Sequence, residues 1–182
     1  WYLVRLEINP HNPDEYATVD GWERFTVRKE RIAVNGTSDR IVEVKGTRWG
    51  PVTEGPLMGQ SLALHWTALD PEAVDLGLLR MDQARSVRDG IAVVTRAGAP
   101  PSNVLLADDE GHIAWTYMGK IPVRRGLDGS VSLSWADGRT GWNGYIPPDE
   151  LPRSIDPPSG FLVSANQRMT DETYPHVIGH AF

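Results

Sequence analysis

Residues 145–168 read Tyr-Ile-Pro-Pro-Asp-Glu-Leu-Pro-Arg-Ser-Ile-Asp-Pro-Pro-Ser-Gly-Phe-Leu-Val-Ser-Ala-Asn-Gln-Arg. Five prolines (Pro147, Pro148, Pro152, Pro157 and Pro158) fix φ and remove backbone donors, so neither a helix nor a central strand can run through the first half. An extended, rigid loop is predicted there. Ser159-Gly160 signals a turn, and the apolar β-type run Phe161-Leu162-Val163 follows, giving way to Ser164-Ala165-Asn166-Gln167-Arg168. A buried strand that breaks into small and amide residues is suited to aiming a side chain into a cavity. Asn166 is the residue predicted to be aimed there, because its NH2 group supplies two donors for an oxygen on which negative charge develops. The residue types alone also allow a plainer reading, in which Asn166 and Gln167 only cap or turn the chain.

Composition narrows the classes of function. At 182 residues and 20.2 kDa the chain is long enough for one domain with a real core. The net charge of −6 and the lack of any basic run argue against a nucleic-acid surface. No apolar stretch approaches the ~20 residues needed to span a membrane as a helix. Without cysteine there is neither a disulfide nor thiol catalysis. The opening on Trp1, in what reads as mid-strand, suggests a processed or excised piece of something longer.

Outward from the quoted loop, the first half reads as β. Leu3, Val4, Leu6 and Ile8 form an edge-like strand closed by Asn9-Pro10. Residues 11–21 are polar and carry a proline, so a loop is predicted. Residues 22–28 alternate large apolar and polar side chains, the pattern of a half-buried strand. Strands over 31–34 and 40–45 flank a hairpin at Asn35-Gly36. Residues 46–59 are glycine-rich and irregular; within them Trp49 is a candidate lining for an apolar acyl pocket, or else a core tryptophan under a loop. Residues 61–66 are strand-like.

Asp70-Pro71-Glu72 carries the marks of a helix start: an N-cap, a proline at the first helical position and an acid in the first turn. Val74, Leu78, Leu79 and Met81 fall on one side at helical spacing. With Gly77 and Gly90 weakening the run, two helical segments are predicted between 70 and 97, stopped by Gly98. Residues 102–118 form a hairpin around the acidic turn Asp108-Asp109-Glu110-Gly111. That turn lacks the spaced set of about six oxygens that calcium requires. Other chemistry finds little support. His176 and His180 stand at zinc-helix spacing, but Gly179 intervenes and no third ligand follows. There is no G-x-S-x-G elbow, phosphate loop or dinucleotide fingerprint.

The stretch from Ile146 to Arg168 resembles the corresponding part of the penicillin amidase family of N-terminal nucleophile hydrolases, in which a proline-rich loop leads to an Asn. Further similarities stand upstream, in this order: Thr47-Arg48-Trp49-Gly50-Pro51-Val52, Ala63 to Leu69, Ala107 to Ile113 and Gly119 to Arg124. Together they cover most of the chain. The resemblance implies an α+β fold: a β-rich fragment of the family's αββα sandwich with a central helical section. It implies an amidohydrolase whose nucleophile is a Ser at the start of a mature β-subunit, using its own α-amino group as base. The oxyanion is held by a backbone N–H and an Asn side chain, a place taken here by Asn166. Trp1 supplies no hydroxyl, so the nucleophile is expected before it, and the supporting Arg just past Phe182.

The chain is therefore predicted to be an internal fragment of an acylase β-subunit: β-rich over 1–66, helical over 70–97, hairpin and proline-rich loop over 102–182. Its partners would be the remainder of the acylase and a small N-acyl substrate, either a β-lactam side chain or an acyl-homoserine lactone. No cofactor is expected, and the family's calcium site is not carried over because His176-Val177-Ile178 follows Tyr174-Pro175. The family points to a periplasmic or secreted setting. The competing reading is a free-standing β-rich module that binds a ligand through its tryptophans.

Overall fold

The computed structural model describes residues 1–179; His180 of the histidine pair lies outside them. The chain divides into two units, residues 1–66 with 131–141, and residues 67–130 with 142 onward.

In the first unit, β1 (Tyr2–Arg5) and β8 (Leu62–His65) pair antiparallel, with Val4 opposite Ala63. Alternation puts Tyr2, Val4 and Leu6 inside while Arg5 and Glu7 face solvent. Residues 131–141 are tied to this pair by one phenol: the Tyr2 hydroxyl donates to the Val131 carbonyl at 2.6 Å and accepts from the Leu133 N–H at 2.7 Å. Trp135 then stacks on the Tyr2 ring, with centroids 5.5 Å apart. Between β1 and β8 come the meander of β2 (Ile8–Asn9), β3 (Asn12–Thr18) and β4 (Gly21–Arg24), and the sheet of β5 (Thr26–Ile32), β6 (Arg40–Thr47) and β7 (Gly50–Pro51).

Two expectations fail here. Most of residues 11–21, expected as a loop, is strand β3 (Asn12–Thr18), because Pro13 falls where the register shifts between Ile8 and Asn9 and no ladder donor is required of it. The strand expected over 22–28 is broken at Phe25, which turns onto the fully buried Tyr16 at 5.0 Å. Trp22 and Val27 are left largely exposed. The hairpin at Asn35-Gly36 does form, with Gly36 at φ +80° and β5 paired to β6 from Thr26↔Gly46 to Ile32↔Arg40.

The second unit is built around β10 (Ile113–Met118), the central strand between β9 (Ser102–Ala107) and β13 (Arg153–Ile155). One face carries Ala114 with its cross-strand neighbours Leu106 and Ile155, and helix α1 (Val87–Val94) packs Val87 and Ile91 against it. The other face carries Trp115 and Tyr117, which join Ile121, Ile146 and Leu151 in a core that Leu162, Met169 and Ile178 cover from outside. β11 (Pro122–Arg125) and β12 (Gly141–Tyr145) pair beside it. Gly119 follows β10 at φ +80°, where a Cβ would lie 2.2 Å from the Ala99 carbonyl oxygen, so only glycine fits.

The helical section is shorter than predicted and starts elsewhere. Asp70 does not cap a helix; it accepts from the Glu72 N–H at 2.8 Å and from the Tyr145 hydroxyl at 2.7 Å, closing a turn. A 3-10 helix spans Gly77–Gln83, and α1 begins at Ser86, whose hydroxyl accepts from the Asp89 N–H while the Asp89 carboxylate accepts from Arg85 N–H. Helix α1 ends at Val94, well before Gly98. The first predicted helix is replaced by the turn at Asp70 and this 3-10 helix, and its presumed inner residues Val74 and Leu79 are exposed. Among the described residues no helix is long and apolar enough to cross a membrane.

The proline-rich segment is held to β10 by Thr116, whose fully buried hydroxyl donates to the Pro152 carbonyl at 2.9 Å. Thr116→Val keeps the shape and removes the donor, stranding that carbonyl. We expect a loss of about 1–3 kcal/mol in unfolding free energy, read as a lowered denaturation midpoint. An unchanged midpoint would show that the carbonyl finds another donor.

Candidate functional site

After β13 the chain enters a loop that runs to Met169. Asp156 opens it in the left-handed region, at φ +47°. Its two carboxylate oxygens are both engaged: one accepts from the Ile113 N–H at 2.9 Å, the other meets His112 Nδ1 at 2.8 Å. The Asp156 N–H in turn donates to the Ile113 carbonyl. This clip fixes the loop to the start of β10. Beside it, Asp108 joins the hairpin to the helix, accepting from the His112 N–H at 2.9 Å and the Val87 N–H at 3.1 Å. The hydrogen bond and charge of Asp156 hold the His112 pKa above its ordinary value. The Ile113 N–H, then His112, hold the Asp156 carboxyl below its own.

Pro157, Pro158 and the turn closed by Gly160 N–H on the Pro157 carbonyl carry the chain to Phe161. The strand predicted over 161–163 does not form. Alternation survives, with Leu162 drawn onto the Trp115 core and Phe161 and Val163 exposed, but no described strand pairs with it. Asn166 follows on a bend, exposed and left-handed at φ +62°, rather than at the mouth of a buried strand. Among the described residues its carboxamide makes no hydrogen bond.

The neighbouring amide behaves differently. Gln167 folds back, its Oε1 accepting from the Ala165 N–H at 2.5 Å and its Nε2 donating to the Val163 carbonyl at 2.9 Å. The same nitrogen lies 3.1 Å from Met169 Sδ. Ser164 Oγ is buried without a partner among the described residues. The sequence reading gave Gln167 no part beyond turning the chain, since nothing in a Gln-after-Asn pair distinguishes a cross-linking amide from a solvated one.

Past the loop, residues 171–178 are strapped to the proline-rich segment. The Tyr174 hydroxyl donates to the Glu150 carbonyl at 2.9 Å, His176 Nε2 meets the Glu150 carboxylate at 2.9 Å, and Arg124 donates to the Val177 carbonyl at 2.7 Å. Burial, reinforced by the Glu150 charge, pushes the Tyr174 hydroxyl up to about 12. Among the described residues no three acidic or histidine side chains converge as a metal site.

Trp49, the other candidate, belongs to the first unit. It is half-buried, edge-on to Tyr16 at 5.5 Å and to Trp135 at 6.2 Å. Its carbonyl meets His65 Nδ1 at 2.6 Å, and burial holds the pKa of His65 below its ordinary value. The residue is only partly buried by these contacts.

Comparison with known proteins follows the same lines. The family model described as penicillin amidase matches residues 1–182. Penicillin acylase 2 proenzyme of Pseudomonas sp. (strain SE83) is 34% identical over 158 residues, covering 85% of this chain and 20% of its own length. Acyl-homoserine lactone acylase QuiP of Pseudomonas fluorescens (strain Pf-5) is 30% identical over 158 residues, covering 84% and 19%. A thermostable penicillin G acylase from Alcaligenes faecalis superposes with a TM-score of 0.82 at 25% identity, over 100% of this chain and 33% of that one. The chain thus spans about a fifth of the length of the curated relatives it matches.

The His112–Asp156 clip has a defined pH window. His112, raised above 6.5, contributes fully below that value and loses its contribution as pH rises through the raised pKa. Asp156, lowered below 3.8, contributes above that value and loses its contribution as pH falls through the lowered pKa. The gap in thermal midpoint between the unaltered protein and Asp156→Asn should be widest between pH 3.8 and 6.5 and narrow on both sides. A gap independent of pH would show that charge plays no part.

Proposed function

The chain belongs to the penicillin amidase family, and on that premise we propose that it is part of an acylase that hydrolyses the amide bond of an N-acyl substrate, with Asn166 donating to the oxyanion. The substrate class is a β-lactam side-chain amide or an acyl-homoserine lactone, the two kinds of acylase among its relatives.

In this scheme an N-terminal Ser, supplied by polypeptide outside the 182 residues, attacks the amide carbonyl. Its hydroxyl proton passes to its own α-amino group, directly or through a water. The carbonyl oxygen becomes negative and is held by a backbone N–H, also from outside, and by the Asn166 NH2. Collapse breaks the C–N bond, the leaving nitrogen takes the proton, and water repeats the sequence on the acyl ester. Trp49, which is partly buried, is assigned to the acyl chain. The partner is the remainder of the acylase, and the family suggests a periplasmic or secreted setting.

One observation carries the reading. In a chain of this family, the asparagine that the resemblance puts in the place of the oxyanion donor is exposed and makes no hydrogen bond among the described residues, while the amide next to it is bonded to backbone through both its oxygen and its nitrogen. An asparagine that merely turned the chain would be expected to spend its amide on neighbouring backbone.

Two measurements test it. In the complete enzyme, Asn166→Ala should lower kcat on the order of 10²–10³-fold, about 3–4 kcal/mol, while KM changes little. Near-full turnover in that variant would end the assignment. The isolated 182-residue chain, having a donor but no nucleophile, should hydrolyse no amide; measurable turnover by the purified chain would place the nucleophile inside it.

A further inference from the structure

Asn166 lies between two residues anchored in the Trp115 core, Leu162 before it and Met169 after it. Across that span, residues 162–169 make no backbone–backbone hydrogen bond among the described residues. Such a stretch has no ladder to hold it, and Asn enters the left-handed region readily, so neither backbone pairing nor sterics alone fixes the direction of the bend at Asn166. Gln167 supplies a constraint. Its Oε1 accepts from Ala165 and its Nε2 donates to Val163, so one side chain bridges both positions leading into the bend. Two adjacent exposed amides divide the work: one folds back and uses donor and acceptor on backbone, the other makes no hydrogen bond among the described residues.

We infer that Gln167 is a positioning residue for the acylase reaction, its carboxamide standing in for the missing backbone ladder and fixing the direction in which the Asn166 amide donates. This rests on the oxyanion role proposed for Asn166. Gln167 itself does not touch the substrate. Few residues can replace it. Asn is one methylene shorter, Met has the length without the hydrogen bonds, and Glu keeps the acceptor but donates only when protonated.

The test is made in the complete, processed enzyme with an N-acyl amide that the unaltered enzyme hydrolyses. Gln167→Met should lower kcat on the order of 10- to 100-fold, as a donor displaced by about 1 Å does, with little change in KM. Combined with Asn166→Ala, it should add almost nothing to the loss from Asn166→Ala alone, because nothing remains to be positioned. If Gln167→Met does not fold, Gln167→Glu provides the second reading. Its rate, relative to the unaltered enzyme at the same pH, should rise as pH falls through the ordinary glutamate range of about 4.3, where the carboxyl regains a proton to donate to Val163.

Full kcat in Gln167→Met, losses that multiply independently with Asn166→Ala, or a Gln167→Glu ratio flat with pH would each overturn the positioning role. If Asn166→Ala is crippled while Gln167→Met is not, only this inference fails. If Asn166→Ala keeps its turnover, the oxyanion reading fails first and this one with it.

Discussion

Strand β10 has to be covered on both faces, and the second unit is the solution to that requirement. Its side chains alternate small and large: Ala114 meets the helix, and Trp115 and Tyr117 meet the loops. A helix can sit close on a small residue, and α1 brings Gly90 to the contact, where an added Cβ would stand 3.0 Å from Leu106. Among the described residues no second α-helix covers the aromatic face. It is closed instead by Leu151 from the proline-rich segment and by Leu162, Met169 and Ile178 from irregular chain. The apolar area of two aromatic rings therefore orders a stretch of polypeptide that has no secondary structure of its own.

That arrangement settles what kind of order the loop can have. Proline removes donors at intervals through residues 147–158, so backbone pairing is confined to the short strand β13 and a few single bonds, and the other attachments are made by side chains. Thr116 holds Pro152, Asp156 holds Ile113 and His112, Arg153 donates to the Pro148 and Asp149 carbonyls, and Tyr174 holds Glu150. Each attachment is local, and between them the chain is free to differ. Segments with few backbone hydrogen bonds and little buried apolar area open at lower free energy than a core strand does. A site on such a segment is tuned by its nearest attachments more than by the fold as a whole.

Much of this was legible in the sequence where local chemistry decides alone. The two hairpins were readable from Asn35-Gly36 and Asp108 to Gly111; the proline-rich stretch, read as an extended loop, instead holds a 3-10 turn at Pro148–Glu150 and the short paired strand β13. The family resemblance led to the fold. What failed turned on partners elsewhere in the chain. Pro13 reads as a loop former until a register shift leaves its position unpaired. Phe161-Leu162-Val163 reads as a strand, yet a strand is made by a neighbouring edge, and none of the described strands pairs with it. Asp70-Pro71-Glu72 has the residues of a helix start, but Tyr145, 75 positions away, takes the Asp70 carboxylate. Ser86-Val87-Arg88-Asp89 carried the better start signal, a capping box, and α1 begins there. Gln167 was invisible as a cross-link because its partners are backbone groups, which every residue has.

The conformation of Asn166 itself argues for its identity. At φ +62° a residue with a Cβ crowds the following carbonyl, and Gly, Asn and Asp are the types that occupy this region readily. Glycine would relax the bend and bring no side chain. Aspartate would tolerate it and bring a carboxylate, which accepts but cannot donate and would repel a developing negative oxygen. Asparagine alone combines the backbone tolerance with two N–H donors on a short, stiff arm. A longer amide at the same place would reach further but lose more rotamer freedom on being fixed, and would lack the left-handed preference. The residue that backbone sterics permit and the residue that oxyanion chemistry requires are the same one. On the proposed reading, the bend is there because the donor has to be presented on it.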